Sequence, residues 1–314
     1  MGTAPTGRLG AHPAVRMSVP VVRSPVLRSP VVELRVGCPM WAHKSWQGKY
    51  VPEKLGAHEQ LVAYASWCSS VEGNTTFYGV PSPEAVRTWA RAAPPDFRFV
   101  FKLPRTITHD RRLRDADAEL HEFLDVLEPL GERARTLSVQ LPGSFGPNDL
   151  GVLGSFLRTL PASHRYGVEV RHPAFFQPGA TSERLEAMLA EHEAEWISFD
   201  TTTLFSAPAT SAAEQEGWAQ KPRLPRRTAA LSDEPIVRYV GRDDVDATVA
   251  GWQVWVPVVA QWLREGRRPT FFVHTPDNDE SLPLTRRFHD QVRSLVPELD
   301  PLPDPIDAAP PTLF

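Results

Sequence analysis

RYGVEVRHP, at residues 165–173, begins as an apolar strand and ends in charge. Side chains alternate across a strand, so Val168 and Val170 point one way and Glu169 and Arg171 the other. His172-Pro173 then stops the strand, because proline cannot donate to a ladder. Two readings fit: a structural ion pair inside a barrel, or a site at the carboxyl end of a parallel strand, where α/β folds put their chemistry. The choice rests on whether other strands end in the same way.

Working outward, eight strand-like runs alternate with amphipathic segments from residue 31 onward. The runs are VVELRVGC (31–38), SSVEGNTTFY (69–78), FRFVFKLP (97–104), RTLSVQLP (135–142), RYGVEVRHP, EWISFDTT (195–202), PIVRYVGRD (235–243) and PTFFVHTPDN (269–278). Helical period marks 53–67, 82–92, 115–130, 149–160, 182–192, 249–265 and 282–296. Ser82-Pro83-Glu84 and Thr181-Ser182-Glu183 are helix starts with a capping residue. Regular βα alternation predicts a parallel sheet, and eight strands over about 270 residues predict a single closed (β/α)8 TIM-type barrel at 31–297. A doubly wound open sheet is the alternative, but no Gly-rich phosphate fingerprint follows any strand.

Residues 1–30 and 298–314 lack period and are read as disordered extensions, with Met17 an alternative start and an apolar tip at Leu313-Phe314. The sixth unit carries a long Pro-rich loop, 204–235, with the basic run KPRLPRR at 221–227. That run either reaches the barrel mouth or is a solvated loop.

Composition bounds the partners. Of 314 residues, 41% are hydrophobic and 23% charged, enough for one large core, and the net charge of −4 lacks the basic footprint of a general nucleic-acid binder. Two cysteines, Cys38 and Cys68, give neither a disulfide framework nor metal-binding spacing, which fits a reducing, cytoplasmic setting. No apolar run approaches a membrane span.

The other strands do end like 165–173. Strand two puts Glu72, Asn74 and Thr76 on one face. Strand three sets Arg98, Val100 and Lys102 against three outward apolar residues. Strand four turns Ser138 and Gln140 inward. Strand six sets Ser198 and Asp200 inward against Ile197 and Phe199. Strand seven gives Arg238, and strand eight gives His274, followed by Asp277 and Asn278. So many buried polar groups at one end are costly without water, ligand or mutual pairing. Three acids, Glu72, Glu169 and Asp200, balance three bases, Lys102, Arg171 and Arg238. A balanced cup of this kind suits a small polar metabolite with a carboxylate or phosphate, which arginine binds bidentately. The first loop, GCPMWAHKSWQGKYVP (37–52), places Trp41 and Trp46 as a wall or lid, or else as a satellite apolar cluster. Cys38 is a nucleophile if a base such as His43 or His274 lies beside it, and otherwise a small buried residue.

Several of these motifs in order, Gly37-Cys38 with Trp41 and Trp46, VEGNTTFYGVPSPE (71–84), FKLPRTITHDRRL (101–113), QLPGSF (140–145) and VEVRHP (168–173), resemble the YecE-like family. These are bacterial proteins with a domain of unknown function, and the likeness covers about 31–296. It implies a TIM-type barrel, and the positions that match are Asn74, Thr76, Tyr78, Lys102, Arg105, Thr108, His109, Gln140, Glu169, Arg171 and His172. Departures fall late: VRYVGRDD replaces an Arg followed by a His-Gly pair, and His274-Thr275-Pro276-Asp277-Asn278 replaces a Phe-Asn-Asn type end.

Four functions follow. In the first, an enzyme uses acid–base chemistry on a small anionic metabolite. Its catalytic residues are Glu169, Lys102 and Arg171, and Glu72, Asn74, Tyr78, Gln140, Asp200, Arg238, His274 and Trp41 bind the substrate. In the second, Glu72, Glu169, Asp200, His274 and Asp277 hold a divalent metal for a hydrolase or isomerase. The third is a Schiff-base lyase through Lys102. The fourth is a binding module without catalysis or an accessory nucleic-acid protein, favoured by the KPRLPRR run and opposed by the acidic net charge; separately, the apolar tail tip offers a docking element for a protein partner. No cofactor is indicated.

Overall fold

The computed structural model describes residues 1–3 and 32–306. The disorder expected of 1–30 falls, from residue 4 on, outside the described residues, as do the apolar tip at Leu313-Phe314 and Met17.

Among the described residues nine parallel strands form one sheet: β1 (Arg35–Cys38), β2 (Ser70–Gly73), β3 (Arg98–Lys102), β4 (Thr136–Gln140), β5 (Arg165–Glu169), β6 (Glu195–Trp196), β7 (Ser198–Asp200), β8 (Ile236–Val240) and β9 (Thr270–His274). The order is β6-β5-β4-β3-β2-β1-β9-β8-β7. β6 and β7 are two halves of the sixth strand, divided at Ile197. The first half pairs with β5 and the second with β8, and the Ile197 amide donates to the Val168 carbonyl at 3.0 Å. The sixth strand therefore joins the two ends of the sheet, and the architecture is the α/β TIM-type barrel expected from the rhythm.

Helices cover the outside. Helix Pro83–Ala92 starts as its sequence dictates, with the Ser82 hydroxyl accepting from the Ala85 amide and proline in the first turn. The next expected cap is displaced. Helix Ala180–Glu191 begins after Gly179, and the Ser182 hydroxyl donates to the Gln177 and Gly179 carbonyls instead. The loop 204–235 is not wholly irregular, for it contains helix Ala212–Gln220, capped by Ser211. Residues 298–306, read from composition as part of the tail, run along the barrel. Leu299 is buried, and the Ile306 amide donates to the Ser66 hydroxyl at 2.8 Å.

Outward side chains such as Phe99, Phe101, Leu137, Val139 and Val168 pack under the helices in one continuous core. Inside the barrel, Val100, Ile197, Ile236 and Phe272 form an apolar plug. Ile197 reaches it because Gly167 lies opposite: a Cβ there would stand 2.7 Å from the Ile197 side chain. This plug is the floor on which the polar mouth rests.

Candidate functional site at the barrel mouth

The mouth is a cavity of about 470 Å³ at the carboxyl ends of the strands. Strand ends and the loops that follow them deliver its side chains. Lys102 comes from β3, Gln140 from β4, Arg238 from β8 and His274 from β9, all nearly buried. Arg171 lies two residues beyond β5. β2 ends at Gly73, so Asn74 is not a strand residue as expected; it opens the short helix Thr75–Tyr78, which carries Phe77 and the exposed Tyr78 to the rim. A π-helical turn, Thr106–Asp110, brings up His109, with Arg105 just before it. Such turns are often found at functional sites.

Beneath the cavity lies an ion cluster. Arg238 is clasped by two fully buried carboxylates, Glu72 and Glu169; its Nη2 donates to Glu72 Oε2 at 3.0 Å. Arg171 Nε donates to Glu169 Oε1 at 2.7 Å. Lys102 Nζ donates to Gln140 Oε1 at 2.7 Å and stands 3.8 Å from Glu72. Asn74 Nδ2 donates to Glu72 Oε2 at 3.1 Å and to the Pro39 carbonyl at 2.8 Å. The guanidinium groups of Arg171 and Arg238 lie over the Phe199 ring, 5.0 and 4.8 Å from its centroid.

These contacts set the protonation states. Burial opposes the charge on both carboxylates, yet the surrounding cations outweigh it. Arg238, Arg171 and Lys102 bring Glu169 down to about 2, and Arg238, Lys102 and His274 hold Glu72 well below the usual carboxylate range. Burial brings His274 down to about 4 against the pull of Glu72. Its 3.3 Å contact with Glu72 is therefore that of a neutral imidazole at pH 7. Burial, reinforced by Arg238 and only partly offset by Glu72 and Glu169, brings the Lys102 amine down to about 7.

Most of the expected site residues meet here. Asn74, Tyr78, Lys102, Gln140, Arg171, Arg238 and His274 line the cavity, and Glu72 and Glu169 support it from behind. Three expectations are corrected. Glu169 has both oxygens committed to arginines and stays ionised above about pH 2, which does not fit the acid–base role expected of it. Asp200 points out of the barrel, because the register that places Phe199 beside Arg238 turns its neighbours toward the helices. Its carboxylate accepts from Trp255 Nε1 at 2.7 Å, Arg226 Nε at 2.6 Å and the Thr202 hydroxyl at 2.6 Å. Trp41 is not a wall of the cavity. It packs edge-on against Trp89 and Phe99, in keeping with the satellite-cluster reading, and Met40 takes the place at the mouth.

The metal-ligand set weighed from the sequence does not assemble. Among the described residues no three His, Cys, Asp or Glu side chains come together as a metal site. Cys38 is buried on the outer face of β1, in contact with Thr285 at 3.4 Å, which matches a packing role.

The sequence reading missed Arg105, His109 and Lys221 as cavity residues. The matched motif FKLPRTITHDRRL contained the first two. Lys221 opens the KPRLPRR run, but Arg226 and Arg227 of that run are spent on Asp200 and Glu186. The mouth is thus not charge-balanced. Among the described residues five basic side chains line it, namely Lys102, Arg105, Arg171, Lys221 and Arg238, and the carboxylates in contact with them are Glu72, Glu169 and, on the rim, Asp110.

Sequence comparison matches residues 35–307 to the family described as "Protein of unknown function DUF72". The UPF0759 protein YecE of Escherichia coli (strain K12) is 35% identical over 268 residues, which cover 85% of this chain and 96% of that protein. Two solved structures share the fold. A DUF72 family protein from Thermotoga maritima aligns with a TM-score of 0.60 at 20% identity, covering 83% of this chain and 99% of its own. One from Enterococcus faecalis aligns with a TM-score of 0.59 at 18% identity, covering 84% and 98%. No helix among the described residues is long and apolar enough to cross a membrane.

Proposed function

The chain belongs to the DUF72 family, and from that premise we propose that its barrel mouth is an active site that binds a small anionic metabolite and moves a proton through Lys102. The observation that carries this reading is the Lys102 amine, buried at the cavity floor and brought down to about 7. An ordinary lysine, titrating near 10.4, keeps only about one amine in a few thousand neutral at pH 7, whereas this one divides about evenly. A base poised near the working pH is what general acid–base chemistry needs. When Lys102 takes a proton from the substrate, its ammonium is received by Gln140 and Glu72. Arg171 and Lys221 face the negative charge left behind. Glu169 acts as a positioning residue that holds Arg171 and Arg238 in place.

The test uses the purified chain in D2O with a panel of small phosphorylated and carboxylated metabolites. The wild type is expected to place deuterium in one of them, and Lys102→Met to lose that exchange. No exchange by the wild type across the panel, or equal exchange by the variant, would count against the reading. The same neutral amine also suits attack on a carbonyl, forming an imine with release of water. Borohydride would fix that adduct on Lys102, and its absence with every aldehyde and keto acid tried would leave proton transfer alone.

A further inference from the structure

We propose that the metabolite taken at this mouth is a hydroxylated anion, of the sugar-phosphate or sugar-acid class, bound with its anionic group on one side of the cavity and its hydroxyls on the other. The inference rests on the function proposed above and adds the chemistry of the ligand.

The lining is divided around the ring. On one side, Arg171 follows β5 and Lys221 follows the helix after β7. Among the described residues neither the Arg171 Nη atoms nor Lys221 Nζ has a hydrogen-bond partner. Burial, together with the fields of Arg238 and Arg171, lowers the Lys221 amine, so these like charges meet across a shared space without an anion between them. Planar, bidentate arginine beside a lysine suits a phosphate or carboxylate.

Across the barrel, on the β9-β1-β2 side, two unmatched groups are acceptors, and beside them His274 Nε2, 3.3 Å from Glu72, has no hydrogen-bond partner either. Asn74 Oδ1 and Asn278 Oδ1 are buried atoms on cavity-lining residues without a donor. The orientation of the Asn74 amide is fixed, because its nitrogen donates to both Glu72 and the Pro39 carbonyl. Asn278 is held in the left-handed region at φ 60°, and its carbonyl receives the Trp46 indole at 2.8 Å. A buried acceptor left without a donor is costly, so this side asks for donors from the ligand. The excess of cations around the mouth disfavours an ammonium group there. The donors are therefore neutral, and hydroxyls meet that requirement.

The experiment measures binding by calorimetry, using matched pairs of equal charge with and without hydroxyls: glycerol 3-phosphate against propyl phosphate, and gluconate against hexanoate. At least one hydroxylated member is expected to bind about tenfold or more tighter than its partner. Asn74→Ala is expected to erase that preference and leave the weaker member's affinity in place. Arg171→Met with Lys221→Met is expected to abolish binding of both members. Equal affinity within every pair, neutral polyols binding as well as anions, or no binding by any member would overturn the inference. Lys102→Met separates the two proposals. If the preference survives in that variant while deuterium exchange is lost, both stand. If exchange proceeds on an anion without hydroxyls, the function stands and the ligand class falls.

Discussion

Lys102→Met tests the physical basis of the site without any substrate. In the folded chain the amine is brought from the ordinary lysine range to about 7. Each unit corresponds to about 1.4 kcal/mol, so holding the charged form in the barrel costs on the order of 5 kcal/mol. The sign follows from proton counting. Between pH 7 and the ordinary lysine range, the unfolded chain binds a proton at this position that the folded chain lacks, so folding stability rises with pH in that window. Below pH 7 both forms are charged and the full cost is present. From pH 7 to 9, Lys102 should therefore add about 2 kcal/mol to wild-type stability. The other buried groups of the cluster do not titrate there, since Glu169 lies at about 2 and His274 at about 4. Urea unfolding of the wild type and Lys102→Met at pH 7, 8 and 9 measures the difference directly. The wild type should gain on the variant with each step. Curves that stay parallel across the range would refute the lowered amine, and the proposed base with it.

Three further outcomes are expected. Arg238→Met leaves Glu72 and Glu169 buried without their shared cation, at a cost of about 3–5 kcal/mol, whereas Arg105→Met on the exposed rim should cost less than about 1 kcal/mol; similar denaturation midpoints for the two variants would argue against the clasp. Asp200→Asn removes the charged partner of Arg226 and should cost about 1–3 kcal/mol while speeding limited proteolysis between 204 and 235; unaltered cleavage would deny that anchor. Gly167→Ala pushes a Cβ against Ile197 and should cost about 1–3 kcal/mol, partly restored by adding Ile197→Val; a melting temperature equal to wild type would mean the plug has slack.

The barrel was legible because helical and strand periods alternate cleanly, and because parallel strands covered by helices need an apolar outer face. Lys102, Gln140, Glu169 and Arg238 were legible for the same reason: polar residues interrupting apolar strands at one end. Strand six was misread. One face carries Ile197 and Phe199 and the other Ser198 and Asp200, so turning the polar face inward picks the wrong side; only the pairing of Gly167 with Glu195 and of Phe199 with Arg238 decides which face looks inward. Register across the long connections that precede and follow this strand leaves no local trace. Trp41 failed differently, since a loop aromatic carries no period that says what it packs against. Lys221 sits in a run of four basic residues, three of which cover other parts of the protein.

The clasp around Arg238 ties together positions 69 and 166 residues apart in the chain. A break between β5 and β6 would strand both acids on the leading fragment and their guanidinium on the trailing one. Neither fragment could then hold its ionised groups in a dry interior, so the leading one should expose or protonate its acids and the trailing one expose its guanidinium. Mixing the two fragments would make the ionic clasp a reporter of reassembly: the mouth is regained only when distant segments dock, and partial folding earns none of its chemistry.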